Sequence, residues 1–188
     1  ARAGVSYFIG RESNREYGES LNGVYLSKNH QFPDGVDPYR VEGDPQSGLC
    51  WGISPAKMRE AGGGDRLIQA YNFRLCLTDK PENRIPFVRP SDYDSTHYEL
   101  LARAIRKMGT NIDSYLLINW GRMPDNKYDV NNRGPLSTDM IGMNYDYPEG
   151  SYATREKIWQ AHVSYTKGLL YFLTHDSRIP AELQQKVA

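Results

Sequence analysis

Residues 63–79, GGDRLIQAYNFRLCLTD, restrict the possible folds more than any other part of the sequence. Side chains two positions apart on a β-strand lie on the same face of a sheet. The odd-numbered side chains after Asp65 are Leu67, Gln69, Tyr71, Phe73, Leu75 and Leu77, and all of them except Gln69 are apolar. The alternation therefore predicts a β-strand with one buried face and a second face of mixed character.

The second face of this predicted strand combines polar and apolar groups. Asn72 and Arg74 lie on it together with Ile68, Ala70 and Cys76. One interpretation is the solvated side of an antiparallel sheet. The other is a pocket wall, because ligand sites combine apolar side chains with a few convergent polar groups. The pattern leaves both interpretations open.

Two helices are predicted from apolar residues that repeat at helical spacing. The first covers 95–108, where Asp94 or Ser95 can cap the first turn and Gly109 ends the helix. The second runs from Ser151 to about His175. Both carry an apolar stripe, so we expect each to pack one side against a core.

The other segments complete an α+β prediction. Near the amino terminus we expect a short strand or turn, a helix near 13–21 and then a strand, followed by a long loop or irregular hairpin over 27–48 and a helical turn after Pro55. Further on we expect a buried strand over 114–120 and a long loop over 121–150. We expect one domain over residues 1–188, with a mostly antiparallel sheet and helices packed on one of its faces.

The loop predicted over 121–150 holds a second group of candidate binding residues. Asparagine and hydroxyl side chains are concentrated there, as is one carboxylate: Asn131, Asn132, Ser137, Thr138 and Asp139. These side chains suit hydrogen bonding to a polar ligand, and they are also the residue types that turns favour. Both explanations are open.

The last predicted helix carries a candidate polar pair. Arg155 and His162 are seven residues apart, so they lie on the same side of the helix, with Trp159 and Thr166. The pair could contact a ligand or a neighbouring domain. Alternatively, His162 is a satisfied interior histidine and Arg155 forms a salt bridge.

Composition and motif searches argue against several classes of function. Lys plus Arg and Asp plus Glu each total 23, so no net field attracts nucleic acid or an anionic membrane. The apolar runs are too short to span a bilayer. The signatures of phosphate loops, zinc proteases, serine hydrolases and calcium loops are absent from the sequence, and its four histidines lack metal-ligand spacing. Cys50 and Cys76 are expected to be free thiols. We therefore expect no metal, nucleic-acid or membrane partner.

Four long motifs give the sequence a family resemblance: VSYFIGRESNREYGES, LIQAYNFRLCLTDKPENRIPF, VNNRGPLSTDMIGMNYDYPEGSYATRE and HVSYTKGLLYFL. Together they resemble the middle section of a family of bacterial FAD-dependent oxidoreductases, some of which carry a xanthan lyase label. The resemblance covers essentially the whole chain. The family's dinucleotide-binding G-x-G-x-x-G turn does not occur in this sequence.

The resemblance implies a substrate-side or cap domain from a longer flavoprotein, and a start at Ala1 agrees with such a fragment. The partner would be the FAD-binding domain of the same protein, and the isolated domain would be inactive. Asn72, Arg74, Asn131 and Asn132 would face the flavin or a small polar substrate. A carbohydrate- or partner-binding module is the alternative, because 14 tyrosines and 3 tryptophans can stack on sugar rings. No residue spacing supports polysaccharide elimination.

Overall fold

The computed structural model describes residues 3–27, 29–109, 112–113 and 117–188. It confirms the α+β prediction, with two small antiparallel sheets and helices packed on one face of the larger sheet. The strands are β1 (Tyr39–Val41), β2 (Asp44–Leu49), β3 (Leu75–Thr78), β4 (Ile118–Met123) and β5 (Lys127–Asn132). The helices are α1 (Glu99–Met108), α2 (Tyr152–His175) and α3 (Ala181–Val187).

The larger sheet has the order β3–β5–β4, with both pairings antiparallel. The prediction of a loop over 121–150 was wrong, because β5 lies inside it and forms the centre of the sheet. Its turn uses Asp125 and Asn126 at φ of 60° and 55°, a conformation that Asp and Asn tolerate better than most residues. The strand predicted over 114–120 begins at Ile118, and residues 114–116 lie outside the described residues.

The strand predicted over 63–79 is confirmed only at its carboxyl end, Leu75–Thr78. Residues 66–74 are not part of a sheet, and the apolar side chains of Leu67 and Tyr71 are 42% and 40% exposed. Alternation alone could not reveal this, because a strand also needs a partner for its backbone groups. Leu75 and Leu77 do pack against the core, as expected.

Both long helices were predicted correctly. A 3-10 turn over Ser95–Tyr98, with Asp94 accepting from the Thr96 amide, leads into α1, and Gly109 follows it. Ser151 caps α2 by accepting from the amide of Thr154. Helix α3 was not predicted; its Leu183 and Val187 are buried in the core.

The helices expected near 13–21 and after Pro55 were wrong, as was the strand expected after the first of them, because residues 22–27 include no strand among those described. Residues 14–18 form turns, and the Ser54 hydroxyl accepts only the Ala56 amide. This region is instead held by backbone contacts, including an isolated bridge between Arg11 and Asp65. Without a periodic apolar stripe, these residues had no helical face to bury.

Helices and sheet bury one common core. Ile118 and Val130 of the sheet pack with Leu101 of α1 and with Leu169 and Phe172 of α2. The β1–β2 hairpin confirms the hairpin alternative for 27–48. No helix within the described residues is long and apolar enough to cross a bilayer.

Candidate functional site

The β3–β5–β4 sheet has a core face and an open face, and the candidate residues divide between them. Directly paired residues share a face. Val130 pairs with Leu75 and Trp120, so all three lie on the core face. Asn131 pairs with Asn119 and therefore lies on the open face. Asn132, one residue further on, lies on the core face, so the side chains of Asn131 and Asn132 point in opposite directions.

Asn72 and Asn131 are joined at the end of the open face. The Asn72 Nδ2 donates to Asn131 Oδ1 at 2.8 Å and lies 3.5 Å from the Thr138 hydroxyl. Thr138 is 1% exposed, whereas both asparagines are half-buried. The structure thus places the Asn72 and Asn131 amides side by side at the surface above a buried hydroxyl. We call Asn72, Asn131, Asn132, Thr138 and Asp139 the amide cluster.

Arg74 lies along the same surface but is already paired. Its guanidinium makes a bidentate ion pair with Asp129, which pairs with Cys76 on the open face. The Arg74 and Asp129 side chains are 59% and 38% exposed. The two charges balance, so Arg74 offers a ligand one half of a dipolar pair rather than a free cation.

Asp139 joins the amide cluster from the loop after β5. Its carboxylate accepts a hydrogen bond from the Asn132 side chain. Burial raises the pKa of Asp139, while the amides of Asn132 and Asn72 and the nearby His30 oppose that rise. In the sequence, Asp139 was one of several residues that suit either a polar ligand or a turn. Its role in the cluster depends on the path of the loop, which the sequence pattern does not reveal.

Arg155 and His162 each have separate partners. Arg155 donates to the backbone carbonyls of Tyr147 and Pro148 at 2.9 and 2.7 Å, so it fixes the turn before α2. His162 is 5% exposed, and its Nδ1 lies 2.7 Å from the Ile158 carbonyl. The Nε2 of His162 is buried and has no partner among the described residues. Both side chains remain candidates, but their contacts join them to different parts of the fold.

The two cysteines are free, as expected. Cys50 is buried, its thiol lies 3.2 Å from the Tyr39 carbonyl oxygen, and burial raises its pKa. Cys76 is exposed. Within the described ranges, no group of three or more His, Cys, Asp or Glu side chains could hold a metal ion.

Comparison with protein families places the chain in one of them. The model of a family described as FAD dependent oxidoreductase matches residues 1–186. The chain therefore belongs to the FAD-dependent oxidoreductase family, and FAD is the cofactor that this family implies. No curated protein and no solved structure matches the chain.

The residues of this chain fit one part of FAD better than the other. A pyrophosphate needs a glycine-rich turn that opens a helix. The run Gly62–Gly64 instead precedes a segment without helix, and a Cβ at Gly62 would lie 2.7 Å from the Asn14 Nδ2. These glycines therefore allow neighbouring segments to approach the backbone closely, and they do not form a phosphate-binding turn. The Asn72 and Asn131 amides carry donors and acceptors of the kind that match the N–H and C=O groups of a flavin ring.

Proposed function

We propose that this chain is the substrate-side cap of an FAD-dependent oxidoreductase, with the open face of its sheet turned toward the flavin and a small polar substrate. The observation that supports the proposal most strongly is the open face itself. The helices pack against the core face of the sheet, on its other side. The open face presents Asn72 and Asn131 beside the Arg74–Asp129 pair. A polar sheet face next to a buried core is a suitable wall for a covered site.

The proposal gives the chain's own residues distinct tasks. Asn72 and Asn131 hold each other at 2.8 Å, so their amides are pre-oriented before any ligand arrives. Arg74 and Asp129 can bind a polar substrate group while keeping the local charge balanced. When bound, FAD accepts two electrons and a proton as hydride from the substrate. The pyrophosphate and adenosine portions are assigned to a separate FAD-binding domain of the same protein.

The proposal is tested in the protein that combines this chain with the FAD-binding domain. Asn131→Ala should weaken flavin binding about tenfold and shift the visible flavin spectrum, because it removes one amide contact and the partner of Asn72. Lys157→Ala is the control, since Lys157 is exposed on α2, on the other side of the sheet. Absorbance titration with FAD gives both readouts. Equal flavin affinity and identical spectra in the two variants would refute the proposal.

A further inference from the structure

A cavity lies at the β3 edge of the larger sheet, mainly on its core side, and Cys76 of the open face also borders it. Its volume is about 1030 Å³, and it is bordered by the end of β3, residues 83–87, and α3. Three aromatic side chains line it: Trp120, Tyr128 and Phe87. Tyr128 and Trp120 lie on the core face, because Leu77 pairs with Tyr128 and Val130 with Trp120. Among the described residues that line the cavity, none belongs to the amide cluster, so the two are distinct.

Trp120, which borders this cavity, has an unpaired hydrogen-bond donor. Its indole Nε1 is buried and has no acceptor among the described residues. Buried donors in folded proteins nearly always have a partner, so this one points to an acceptor outside the described residues, such as an oxygen atom of a ligand or a water molecule. An aromatic ring with a free N–H at its edge binds a partner that is apolar on one face and carries oxygen atoms.

The charged residues of the lining are slightly biased toward carboxylates. Asp79, Asp113 and Glu182 contribute negative groups, whereas Arg84 and Lys186 contribute positive ones. Asp79 accepts from the Tyr128 hydroxyl at 3.1 Å, and its backbone carbonyl accepts from Arg84 at 2.9 Å. Carboxylates outnumber basic groups in this lining, so its field does not attract a phosphate or another multiply charged anion. The cavity therefore favours a ligand without negative charge.

Two exposed side-chain amides complete the lining. Asn83 and Gln185 lie on different segments that border the cavity. Each amide can donate and accept at once, which matches hydroxyl groups that also do both. Aromatic rings and amides around one cavity form a site for a compact ring with an apolar face and a rim of hydroxyl groups.

We propose that this cavity binds a neutral hydroxylated ring, the chemistry of a sugar. Trp120 and Tyr128 would pack against its C–H face, and the Trp120 N–H would donate to a ring or hydroxyl oxygen. Gln185 would bind hydroxyl groups at the rim. The proposal does not depend on the flavin role of the opposite face, so either can fail without the other.

The test is a titration of the ¹⁵N-labelled chain, followed through its three tryptophan indole signals. The probes are methyl glucoside, maltose and, as the anionic comparison, inorganic phosphate. We expect methyl glucoside or maltose to shift the Trp120 signal saturably, while the signals of Trp51 and Trp159 stay in place. A stronger response to the disaccharide would indicate that the cavity recognises glycan chains; an equal response would indicate a single sugar ring.

Variants make the assignment specific. Gln185→Ala, at an exposed position, should weaken binding at least about fivefold, and Gln160→Ala on α2 should leave it unchanged. Trp120→Phe should abolish the response measured by fluorescence, whereas Trp159→Phe should retain it. The proposal is overturned if no saturable Trp120 shift occurs up to about 100 mM sugar. A tighter response to phosphate, or Gln185→Ala and Gln160→Ala variants of equal affinity, would also overturn it.

Discussion

Replacing Arg103 with Met should strongly destabilise the fold, because this guanidinium fastens the β1–β2 hairpin to α1. The Arg103 side chain is 4% exposed and donates to Glu99 at 2.7 Å. It also donates to three hairpin-side backbone carbonyls, those of Asp37 at 3.0 Å, Tyr39 at 2.6 Å and Arg40 at 3.2 Å. A Met of similar length fills the space but supplies no donor.

The expected loss of stability follows from the groups that lose a donor in Arg103→Met, namely Glu99 and the hairpin carbonyls. Removing one partner of a buried charge network typically lowers the free energy of unfolding by about 3–5 kcal/mol. Glu99 keeps an ion pair with Arg178 at 2.6 Å, so we expect the lower end, about 3 kcal/mol. With a urea dependence of about 2 kcal/mol per molar, the unfolding midpoint should fall by roughly 1.5 M.

Arg106→Met is the matched control on the same helix. The Arg106 side chain is 66% exposed, and its partner Glu42 is 45% exposed. An exposed ion pair contributes about 1 kcal/mol or less, so this midpoint should move by less than about 0.5 M. Urea unfolding followed by circular dichroism measures both variants. Midpoints that agree within error would refute the structural role assigned to Arg103.

Two further predictions concern the amino-terminal region. Gly23→Ala should cost at least about 2 kcal/mol, against about 1 kcal/mol for Gly43→Ala. Both glycines have φ near 80°, but only at Gly23 would a Cβ lie 2.7 Å from backbone, at Gly62; equal melting temperatures would contradict this packing. The hydrogen bond from Arg11 lowers the pKa of Asp65 below its usual 3.8. The ion pair therefore stabilises the fold fully above about pH 3.8, and this stabilisation is lost as the pH falls through the lowered pKa. Asp65→Asn should therefore flatten the decline of the urea midpoint below about pH 4, and an unchanged slope would count against the pair.

The helices were predictable because their signals are local. Helix α2 has a serine cap and an apolar stripe, and α1 is preceded by Asp94 and followed by Gly109. Each signal depends only on residues a few positions apart. The short α3 follows Pro180, and two buried side chains anchor it in the core. Its signal is tertiary packing, which the sequence pattern does not show.

The sheet was only partly predictable, because its central strand is polar. β5 reads KYDVNN, and Val130 is its only fully buried residue. The Asp125–Asn126 turn and the alternation of Tyr128 with Val130 were the available signals. Strand pairing depends on a partner distant in the chain, so Leu75–Thr78 is a strand and the similar residues before it are not.

Part of the candidate site could also be predicted from the sequence. Strand alternation correctly put Arg74 on a face opposite Leu75 and Leu77. It could not show that Asp129 pairs with Arg74, or that Asn72 donates to Asn131, because both contacts require the β3–β5 register. Whether these residues contact flavin or substrate stays a prediction.

Cys76 allows the most direct test of whether the open face covers the flavin. It is exposed, lies opposite Asp129 on that face, and the other cysteine is buried. Alkylation of Cys76 by iodoacetamide can be followed by mass spectrometry in the protein that combines this chain with the FAD-binding domain, first stripped of FAD and then reloaded. We expect bound FAD to slow the reaction at least about tenfold, because a covered thiol is less accessible to the reagent. Equal rates with FAD fully bound would show that the open face points elsewhere.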